Sequence, residues 1–185
     1  KKNKNIYEKV NIEWTRNIAK FAQEAGVKRF IFLSSIGVNG VTTKPFQPFT
    51  HKDVPAPKGQ YAISKFYAEK VLWEISKLTR LEVVIIRAPL VIGYGAKGNL
   101  SRLKKLINFR IPLPFGLVKN KKSFIGIQNL IEILLCCVDH PNVIGKTFLV
   151  SDDEDLSTPE LILHISLALK RSSYLFPVPI FLLKF

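Results

Sequence analysis

The stretch LEVVIIRAP, residues 81–89, decides the fold class of this chain. Its centre, VVII at residues 83–86, is a continuous apolar run of the kind typical of a strand that is buried on both faces, as strands in parallel sheets are. A second apolar and aromatic run, KRFIFLSS, lies upstream at residues 28–35. Both runs are short enough to be strands rather than buried helices. They therefore predict two neighbouring strands of a parallel sheet.

Helical segments lie between and before these two runs. Residues from about Gln60 to Leu78 are predicted to form a helix, and the segment upstream of Gly26 has apolar residues at helical spacing, with that glycine suited to cap its end. Strand, helix and strand in this order imply a right-handed crossover. The sequence thus predicts an α/β fold, a Rossmann-like doubly wound parallel sheet.

The second half of the chain alternates helices and short strands differently. Helices are predicted in NLSRLKKLINF, QNLIEILLCCVDH and LILHISLALKR, and extended segments in KSFIGI and KTFLVS. Either Ser157 or Thr158 is predicted to cap the last helix, just before Pro159. This half is expected to form a smaller α/β lobe at the end of the sheet.

The cysteine and histidine residues bear on compartment and metal binding. Cys136 and Cys137 are adjacent, so a disulfide between them would be strained, and they lack metal-ligand spacing. Free thiols in a reducing compartment are predicted, hence a cytoplasmic protein. The three histidines are scattered along the sequence, and no metal site is predicted. No apolar run of about 20 residues occurs, so no membrane span is predicted.

Positive charge is concentrated in one part of the chain. The formal net charge is +14, and residues 83–131 contain no Asp or Glu but nine Lys or Arg residues. Such a field favours an anionic ligand, either nucleic acid or a small phosphorylated substrate. A basic surface that serves only solubility is a third interpretation.

The stretch GQYAISKFYAEK, residues 59–70, places Tyr61 and Lys65 four positions apart at the start of the predicted helix. That spacing stacks two side chains on one helical face. A nearby cation favours the phenolate and lowers the pKa of a tyrosine. Ser34 and Ser35 end the first strand, at the edge where ligands bind in this architecture. A hydroxyl, a phenol and an ammonium are therefore predicted to converge on a site that moves a proton to and from an alcohol.

Several motifs resemble those of one enzyme family. YAISK is similar to the Tyr-x-x-x-Lys motif of the short-chain dehydrogenase/reductase superfamily, and RFIFLSSIGVNG resembles the serine-bearing strand of its extended branch, the nucleotide-sugar epimerases and dehydratases. The interval of 26 residues from Ser35 to Tyr61 suits that branch. IIRAPLVIGYG is similar to its Arg-x-x-x-Val-Tyr-Gly segment, with Ile92 in the tyrosine position. VNIEWTRN resembles its Asn-x-x-Gly-Thr helix, with Trp14 in the glycine position.

Segments further along extend the resemblance over almost the entire chain. PLPFG, KKSFIGIQNLIEIL and GKTFLVSDDEDLSTPELI resemble the substrate lobe of sugar-nucleotide 4-epimerases and 4-reductases of polysaccharide synthesis. The resemblance implies an NAD- or NADP-dependent enzyme that transfers a hydride at sugar C4. Tyr61 would be the acid/base, Lys65 would lower its pKa and hold the nicotinamide ribose, and Ser35 would bond the reacting oxygen. Pro89 would border the nicotinamide.

The resemblance also implies the binding partners. Asn99 and Lys122 would contact the pyrophosphate of a nucleotide-sugar substrate, expected to be a UDP-sugar, and a homodimer is expected through the Tyr-x-x-x-Lys helix and the one before it. Lys122 stands where many members of the family have arginine. Its ammonium supplies a positive charge but cannot make the bidentate contact of a guanidinium. Residues 1–95 would be the second half of the NAD(P)-binding domain, and residues 96–185 mainly the substrate-binding lobe.

One expected motif is absent from the sequence. The family's Gly-x-x-Gly-x-x-Gly loop, which presents backbone amides to the cofactor pyrophosphate, is not found, and the chain has no methionine. These observations predict a fragment that lacks an N-terminal part and would be inactive alone. Asn11, in the helix that would follow that part, is taken as a structural amide rather than part of a proton relay.

Two classes of function remain open from the sequence. The alternative to the enzyme is a non-catalytic relative that binds polyanions or nucleic acid through residues 83–131. Such a relative has no need of serine, tyrosine and lysine together, which favours the enzyme. No acidic pair follows Ser35, which argues against a dehydratase, but epimerase and 4-reductase are not separated. The sequence does not identify the sugar or the nucleotide of the substrate, and it does not distinguish NAD from NADP as the cofactor.

Overall fold

The computed structural model describes residues 7–95 and 98–184. Its α-helices and strands confirm the predicted α/β class. The α-helices are α1 Trp14–Glu24, α2 Gln60–Leu78, α3 Asn99–Asn108, α4 Ile127–Asp139 and α5 Thr158–Ala168. The strands are β1 Arg29–Ser35, β2 Glu82–Ala88, β3 Leu90–Ile92, β4 Lys122–Gly126, β5 Thr147–Leu149 and β6 Asp155–Leu156.

The chain divides into two units that do not follow one another in sequence. The first runs up to Pro89 and resumes over Asn129–Val150, and the second comprises Leu90–Gln128 and continues from Ser151. The predicted division at residue 95 concerns ligand-binding roles, which this division does not test. Each unit has a sheet of its own.

The sheet of the first unit is parallel, with strand order β1-β2-β5. The register pairs Arg29 with Glu82 at one end and Ser35 with Ala88 at the other. The four residues 83–86 are each 0% exposed, so the centre of β2 is covered on both faces, as its unbroken apolar run predicts. The register brings the carboxyl ends of β1 and β2 to one edge.

Helices α1 and α2 pack on one face of this sheet. A π-helical turn, Glu8–Glu13, leads directly into α1, and α2 lies alongside both. Gly26 follows α1 with a φ of 76°, the left-handed conformation of a C-terminal glycine cap, as predicted. The core between helices and sheet consists of alanine, aliphatic branched side chains and one phenylalanine: Ala19, Phe32, Ala68, Val71, Leu72, Ile75, Leu81, Val83 and Ile85.

The second unit has a mixed sheet. Strand β4 pairs in parallel with β3 and antiparallel with β6. Its core forms two clusters with α3 and α5, whose buried members are Leu100, Phe124 and Leu161 in one and Ile107, Leu113 and Ile162 in the other. The sequence did not predict β3 and β6, because strands of three and two residues are too short to show an alternating pattern.

The start of α5 settles which residue caps it. Ser157 and Glu160 form a capping box, in which Glu160 N donates to Ser157 Oγ over 3.3 Å and Ser157 N donates to Glu160 Oε2 over 2.7 Å. Thr158 instead donates its hydroxyl to Asn120 Oδ1. Ser157 is therefore the cap.

The capping box is expected to make the stability of the fold depend on pH in the acidic range. The Ser157 N–H bond, followed by a bond from Lys121, lowers the pKa of the Glu160 carboxyl from 4.5 to about 2. A carboxyl whose pKa is lower in the folded than in the unfolded chain stabilises the folded state at pH values above the unfolded-state pKa. That contribution is lost as the pH falls through the folded-state pKa. We expect Glu160→Gln to flatten the loss of thermal stability between pH 4.5 and about 2.

The control for this prediction is Glu154→Gln, which changes another exposed carboxylate that precedes α5. The Glu154→Gln variant should lose thermal stability in the acidic range as steeply as the parent protein does. Equal slopes for the parent and Glu160→Gln, measured by circular dichroism melts across that pH range, would contradict the role given to the capping box.

Two further expectations bear on membranes and thiols. Within residues 7–95 and 98–184, no helix combines the length and the apolar composition needed to cross a bilayer. Cys136 is exposed, Cys137 is buried, and both are free thiols, as their adjacency predicts. Burial raises the pKa of the Cys137 thiol, so it is the less reactive of the pair by chemistry as well as by access.

Candidate functional site

Ser35 lies at the carboxyl end of β1. Its Oγ accepts a hydrogen bond from Gly37 N over 3.1 Å, which caps the short 3₁₀ turn Ile36–Val38. A serine hydroxyl has one donor and two acceptor sites. Among the described residues no group accepts from its O–H, so this donor is available to a ligand.

Tyr61 lies in the first turn of α2, with 47% of its surface exposed. Its ring packs edge-on against Tyr7, with ring centroids 6.0 Å apart. Burial, and to a lesser extent Tyr7, raises the pKa of the Tyr61 phenol above its usual value. The phenol is therefore protonated at neutral pH in this arrangement.

Two consecutive side-chain hydrogen bonds connect the backbone of that first turn to the π-helical turn. Ser64 Oγ donates to the Tyr61 carbonyl over 2.8 Å and accepts from Asn11 Nδ2 over 2.9 Å. Asn11 thus bonds the helix turn that carries Tyr61, and its interpretation as a structural amide stays a prediction. Side-chain bonds of this kind restrict where the phenol can point.

Lys65 lies one turn further along α2. Its Nζ donates to the Leu33 carbonyl over 3.0 Å and is 4.6 Å from the centre of the Phe32 ring. Burial lowers the pKa of the Lys65 ammonium, and the Glu69 carboxylate opposes this shift. The ammonium is thus directed toward β1.

The structure brings four of the predicted site residues to one edge of the first unit. A β-carbon placed on Gly37 would lie 3.3 Å from Ser35 Oγ and 3.4 Å from Ala62 Cβ, so the first turn of α2 packs against the turn that follows Ser35. Pro89 follows the residue of β2 that pairs with Ser35. We call Ser35, Tyr61, Lys65 and Pro89 the edge cluster.

One electrostatic expectation is not met in this arrangement. Lys65 was expected to lower the pKa of Tyr61, whereas the pKa of the phenol is raised. The physical reason is that burial dominates at the phenol, while the ammonium bonds a main-chain carbonyl of β1 instead. Sequence spacing places two side chains on one helix face but does not fix the direction in which each points.

The two other predicted site residues lie in the second unit. Asn99 is the first residue of α3, after Gly98, and is exposed. Lys122 is the first residue of β4, is exposed, and pairs in register with Leu156. Their assignment to a substrate pyrophosphate stays a prediction.

A buried polar network beneath the edge cluster was not predicted. Arg87 donates from Nε and Nη2 to the two oxygens of Glu69, over 3.0 and 2.6 Å, and from Nη1 to Asn39 Oδ1 over 2.9 Å. Ser34 Oγ donates to Glu69 Oε1. We call Ser34, Asn39, Glu69 and Arg87 the buried polar network; they are between 2% and 6% exposed.

This network also reaches the long segment that leads to Tyr61. Asn39 Nδ2 donates to the Thr50 carbonyl over 2.9 Å, and Thr50 is itself held by Asp53 through two bonds. Ala56 N donates to the Val38 carbonyl over 3.1 Å. These two bonds, from Asn39 and Ala56, hold residues 39–58 against the turn that follows β1. Two sequence signals could have found the network: an arginine inside an otherwise apolar strand, and a glutamate four residues after Lys65.

The arrangement is suited to proton transfer. A phenol, a hydroxyl with an available donor and a partly buried ammonium lie at the carboxyl edge of a parallel sheet, where ligands bind in α/β folds. Among the described residues, no group of three His, Cys, Asp or Glu side chains could hold a metal ion.

Comparison with known proteins gives a consistent set of relatives. Residues 1–150 match the model of a family described as Epimerase, the NAD dependent epimerase/dehydratase family. The chain is 44% identical over 180 residues to a UDP-glucose 4-epimerase of Vibrio cholerae, covering 97% of this chain and 55% of the relative. It is 28% identical to an N-acetyl-α-D-glucosaminyl-diphospho-ditrans,octacis-undecaprenol 4-epimerase of Escherichia coli O157:H7, covering 90% and 50%.

A solved structure has the same fold. The UDP-glucuronic acid 4-epimerase of Bacillus cereus, in complex with NAD, superposes with a TM-score of 0.84 at 20% identity, covering 97% of this chain and 58% of that one. The chain spans about half the length of the curated relatives it matches. These relatives are sugar epimerases, which gives no support to the alternative of a polyanion-binding protein.

Proposed function

Because this chain belongs to the NAD dependent epimerase/dehydratase family, we propose that the protein carrying it is a nucleotide-sugar 4-epimerase, with a UDP-sugar as substrate. The observation that carries the proposal is the edge cluster, with its serine hydroxyl, tyrosine phenol and lysine ammonium gathered at the ligand-binding edge of the sheet. The 44% identity to a UDP-glucose 4-epimerase favours epimerisation over net reduction.

In the proposed reaction the phenolate form of Tyr61, whose share grows as the pH rises toward the raised pKa of the phenol, takes the proton of the sugar C4 hydroxyl and later returns it. Its phenol is half exposed and held in place by ring contact with Tyr7, so a sugar oxygen has access to it. Ser35 donates its O–H to the same oxygen, which orients it and stabilises charge as the proton leaves. Lys65 supplies a positive charge one helical turn from the phenol.

The residues present fit one end of NAD. Lys65 and Pro89 lie at the sheet edge beside Tyr61, where they would hold the nicotinamide and its ribose. A nicotinamide held there would supply reversible hydride transfer at the sugar C4 position. The sequence shown contains no Gly-x-x-Gly-x-x-Gly loop, so the chain's own residues account for the nicotinamide side alone.

The second unit is proposed to bind the nucleotide. Asn99 at the start of α3 and the exposed Lys122 would contact the pyrophosphate, the lysine as a point charge rather than a fork. In this proposal residues 96–185 serve mainly the substrate and residues 1–95 the cofactor. The lipid-linked sugar named for one relative is consistent with a place in polysaccharide precursor synthesis. The free thiols suggest the cytoplasm.

The test uses the full-length gene product. The purified protein is denatured and its supernatant examined for released NAD, and the native protein is incubated with UDP-glucose and, separately, with UDP-N-acetylglucosamine. We expect retained NAD and formation of the 4-epimer of at least one sugar without net consumption of cofactor.

Two outcomes would overturn the proposal. Consumption of added NADPH with a 4-keto-sugar nucleotide, and no epimer, would replace the epimerase with a 4-reductase. An absence of both cofactor and turnover would remove the catalytic role of the edge cluster.

We also propose that the protein is a homodimer that pairs through α1 and α2. Trp14, Ile18 and Phe21 are each more than half exposed, and their spacing places them on one face of α1. On the neighbouring α2, Ile63 and Tyr67 are exposed one turn apart. Such an apolar face on two adjacent helices is suited to bury itself against a second copy.

A single charge on this face is expected to weaken the dimer. Phe21→Glu places a carboxylate in the proposed interface, and we expect the dimer dissociation constant to rise by about 30-fold or more. The matched control is Leu135→Glu on α4, which also changes an apolar side chain more than half exposed. Sedimentation equilibrium measures both constants, and equal effects of the two variants would remove this interface from consideration.

A further inference from the structure

We propose that the buried polar network is a positioning device for the edge cluster, holding β1, β2, α2 and residues 39–58 in one arrangement. For its catalytic readout this inference rests on the proposed function. Its members are positioning residues, because they are buried and act through the side chains above them rather than on substrate.

The first argument is that the network is poorly explained by stability alone. Burying an ion pair costs desolvation of both charges, and well-packed apolar replacements are often neutral or stabilising. Here the pair is deeply buried, with 7% of the Arg87 side chain and 3% of the Glu69 side chain exposed. Every nitrogen of the Arg87 guanidinium donates, and both Glu69 oxygens accept. Three of the five Arg87 N–H groups thus bond two partners on different elements, which fixes the orientation of the guanidinium.

The second argument is that three of the four members lie close in sequence to residues of the edge cluster. Ser34 precedes Ser35, and Arg87 lies two residues before Pro89. Glu69 lies one helical turn after Lys65 on α2. Each of these neighbours is a member of the edge cluster. The bonds of Glu69 therefore join the strand end that carries the serine to the helix that carries the phenol and the ammonium.

The third argument concerns the segment between Ser35 and Tyr61. Asn39 accepts from Arg87 and donates to the Thr50 carbonyl, so the guanidinium is connected to the middle of residues 39–58 by two consecutive bonds. These residues contain no helix or longer strand of their own between the 3₁₀ turn and α2 in the described structure. Their position depends on such anchors.

The same two strands carry a second ion pair that serves as a matched control. Arg29 Nε donates to Glu82 Oε2 over 2.8 Å at the amino ends of β1 and β2, and Arg29 Nη1 bonds main-chain carbonyls at the end of α4. This pair links an arginine and a glutamate across the same unit but lies at the opposite edge of the sheet from the edge cluster.

The experiment replaces each pair by methionines in the full-length gene product: Glu69→Met with Arg87→Met, and Arg29→Met with Glu82→Met. We measure kcat and KM for the UDP-sugar and hydrogen exchange of residues 39–58. Misplacing a catalytic group by about 1 Å costs about 100-fold in rate. We therefore expect the Glu69→Met with Arg87→Met variant to fold and to lose about 100-fold in kcat with little change in KM. We also expect faster hydrogen exchange in residues 39–58 of this variant. The Arg29→Met with Glu82→Met variant should keep the parental kcat and the parental hydrogen exchange of residues 39–58.

Several outcomes would overturn the inference. It fails if the Glu69 and Arg87 variant folds with unchanged kcat and unchanged exchange, or if the control variant loses as much kcat at equal folded fraction. If the methionine pair does not fold, Ser34→Ala removes one hydrogen bond of the network, and unchanged kcat and exchange there would overturn it equally. If the parent protein turns over no sugar nucleotide, the proposed function fails, and exchange of residues 39–58 alone decides the positioning role.

Discussion

Replacing Tyr61 with phenylalanine is expected to lower kcat for epimerisation by about 10³-fold while leaving the fold intact. The substitution removes the only group in the edge cluster that is proposed to take the C4 proton. The ring contact with Tyr7 and the bond from Ser64 to the Tyr61 carbonyl do not involve the phenol oxygen. The measurement is kcat together with a thermal melt of both proteins.

The pH dependence of turnover gives a second readout of the same residue. Burial raises the pKa of the Tyr61 phenol, so the form able to accept a proton becomes more abundant as the pH rises toward that pKa. We therefore expect kcat of the parent protein to rise with pH on the alkaline side, and the residual rate of the Tyr61→Phe variant to lack this rise.

The matched control is Tyr67→Phe, the same chemical change on the same helix. Tyr67 is 49% exposed, close to the value for Tyr61, and its ring lies against Phe66. This variant should keep parental turnover. If Tyr61→Phe retained more than about a tenth of the parental kcat, the acid/base role would be lost, since general acid–base catalysis contributes at least about 10²-fold.

Replacing Arg87 alone with methionine is expected to lower the free energy of unfolding by about 3 to 5 kcal/mol. The change leaves the Glu69 carboxylate buried without its bidentate partner, and it leaves Asn39 Oδ1 without its donor. Urea unfolding followed by tryptophan fluorescence measures the loss, since Trp73 packs against the core of the same unit.

Removing the partner charge as well should restore a large part of the free energy of unfolding that Arg87→Met loses. In the paired variant Glu69→Met with Arg87→Met no unpaired charge remains, so we expect its free energy of unfolding to exceed that of Arg87→Met by about 2 kcal/mol or more. A paired variant no more stable than the single one would mean that packing volume, rather than the stranded carboxylate, sets the cost. Glu82→Gln, at the partly exposed ion pair, should cost about 1 kcal/mol or less.

The elements that position the site could be predicted because their signals are local. Residues 83–86 are branched and uninterrupted, and the structure buries all four completely. The four-residue spacing from Tyr61 to Lys65 predicts a shared helix face, and both lie in the first turns of α2. The serine at the end of β1 followed from the length of the apolar run before it.

What could not be predicted depends on contacts between distant residues. Arg87 and Glu69 are 18 positions apart, and Arg87 and Asn39 are 48 apart, so no window of sequence contains the network. The direction of the Tyr61 pKa shift depends on where the Lys65 ammonium points, which packing against β1 decides. The roles of Asn99 and Lys122 depend on a ligand and stay predictions.

The discontinuous first unit has a consequence for the order in which the chain folds during synthesis. Strand β2 ends at Ala88, but its second neighbour β5 begins at Thr147, after the first part of the other unit, Leu90–Gln128, has been made. At 5 to 20 residues per second, the ribosome needs about 3 to 12 s to cover that interval. During this time one edge of β2 lacks the partner that pairs with Ile85 and Arg87. A pause in translation between these strands would therefore prolong the exposure of an apolar strand edge to other chains.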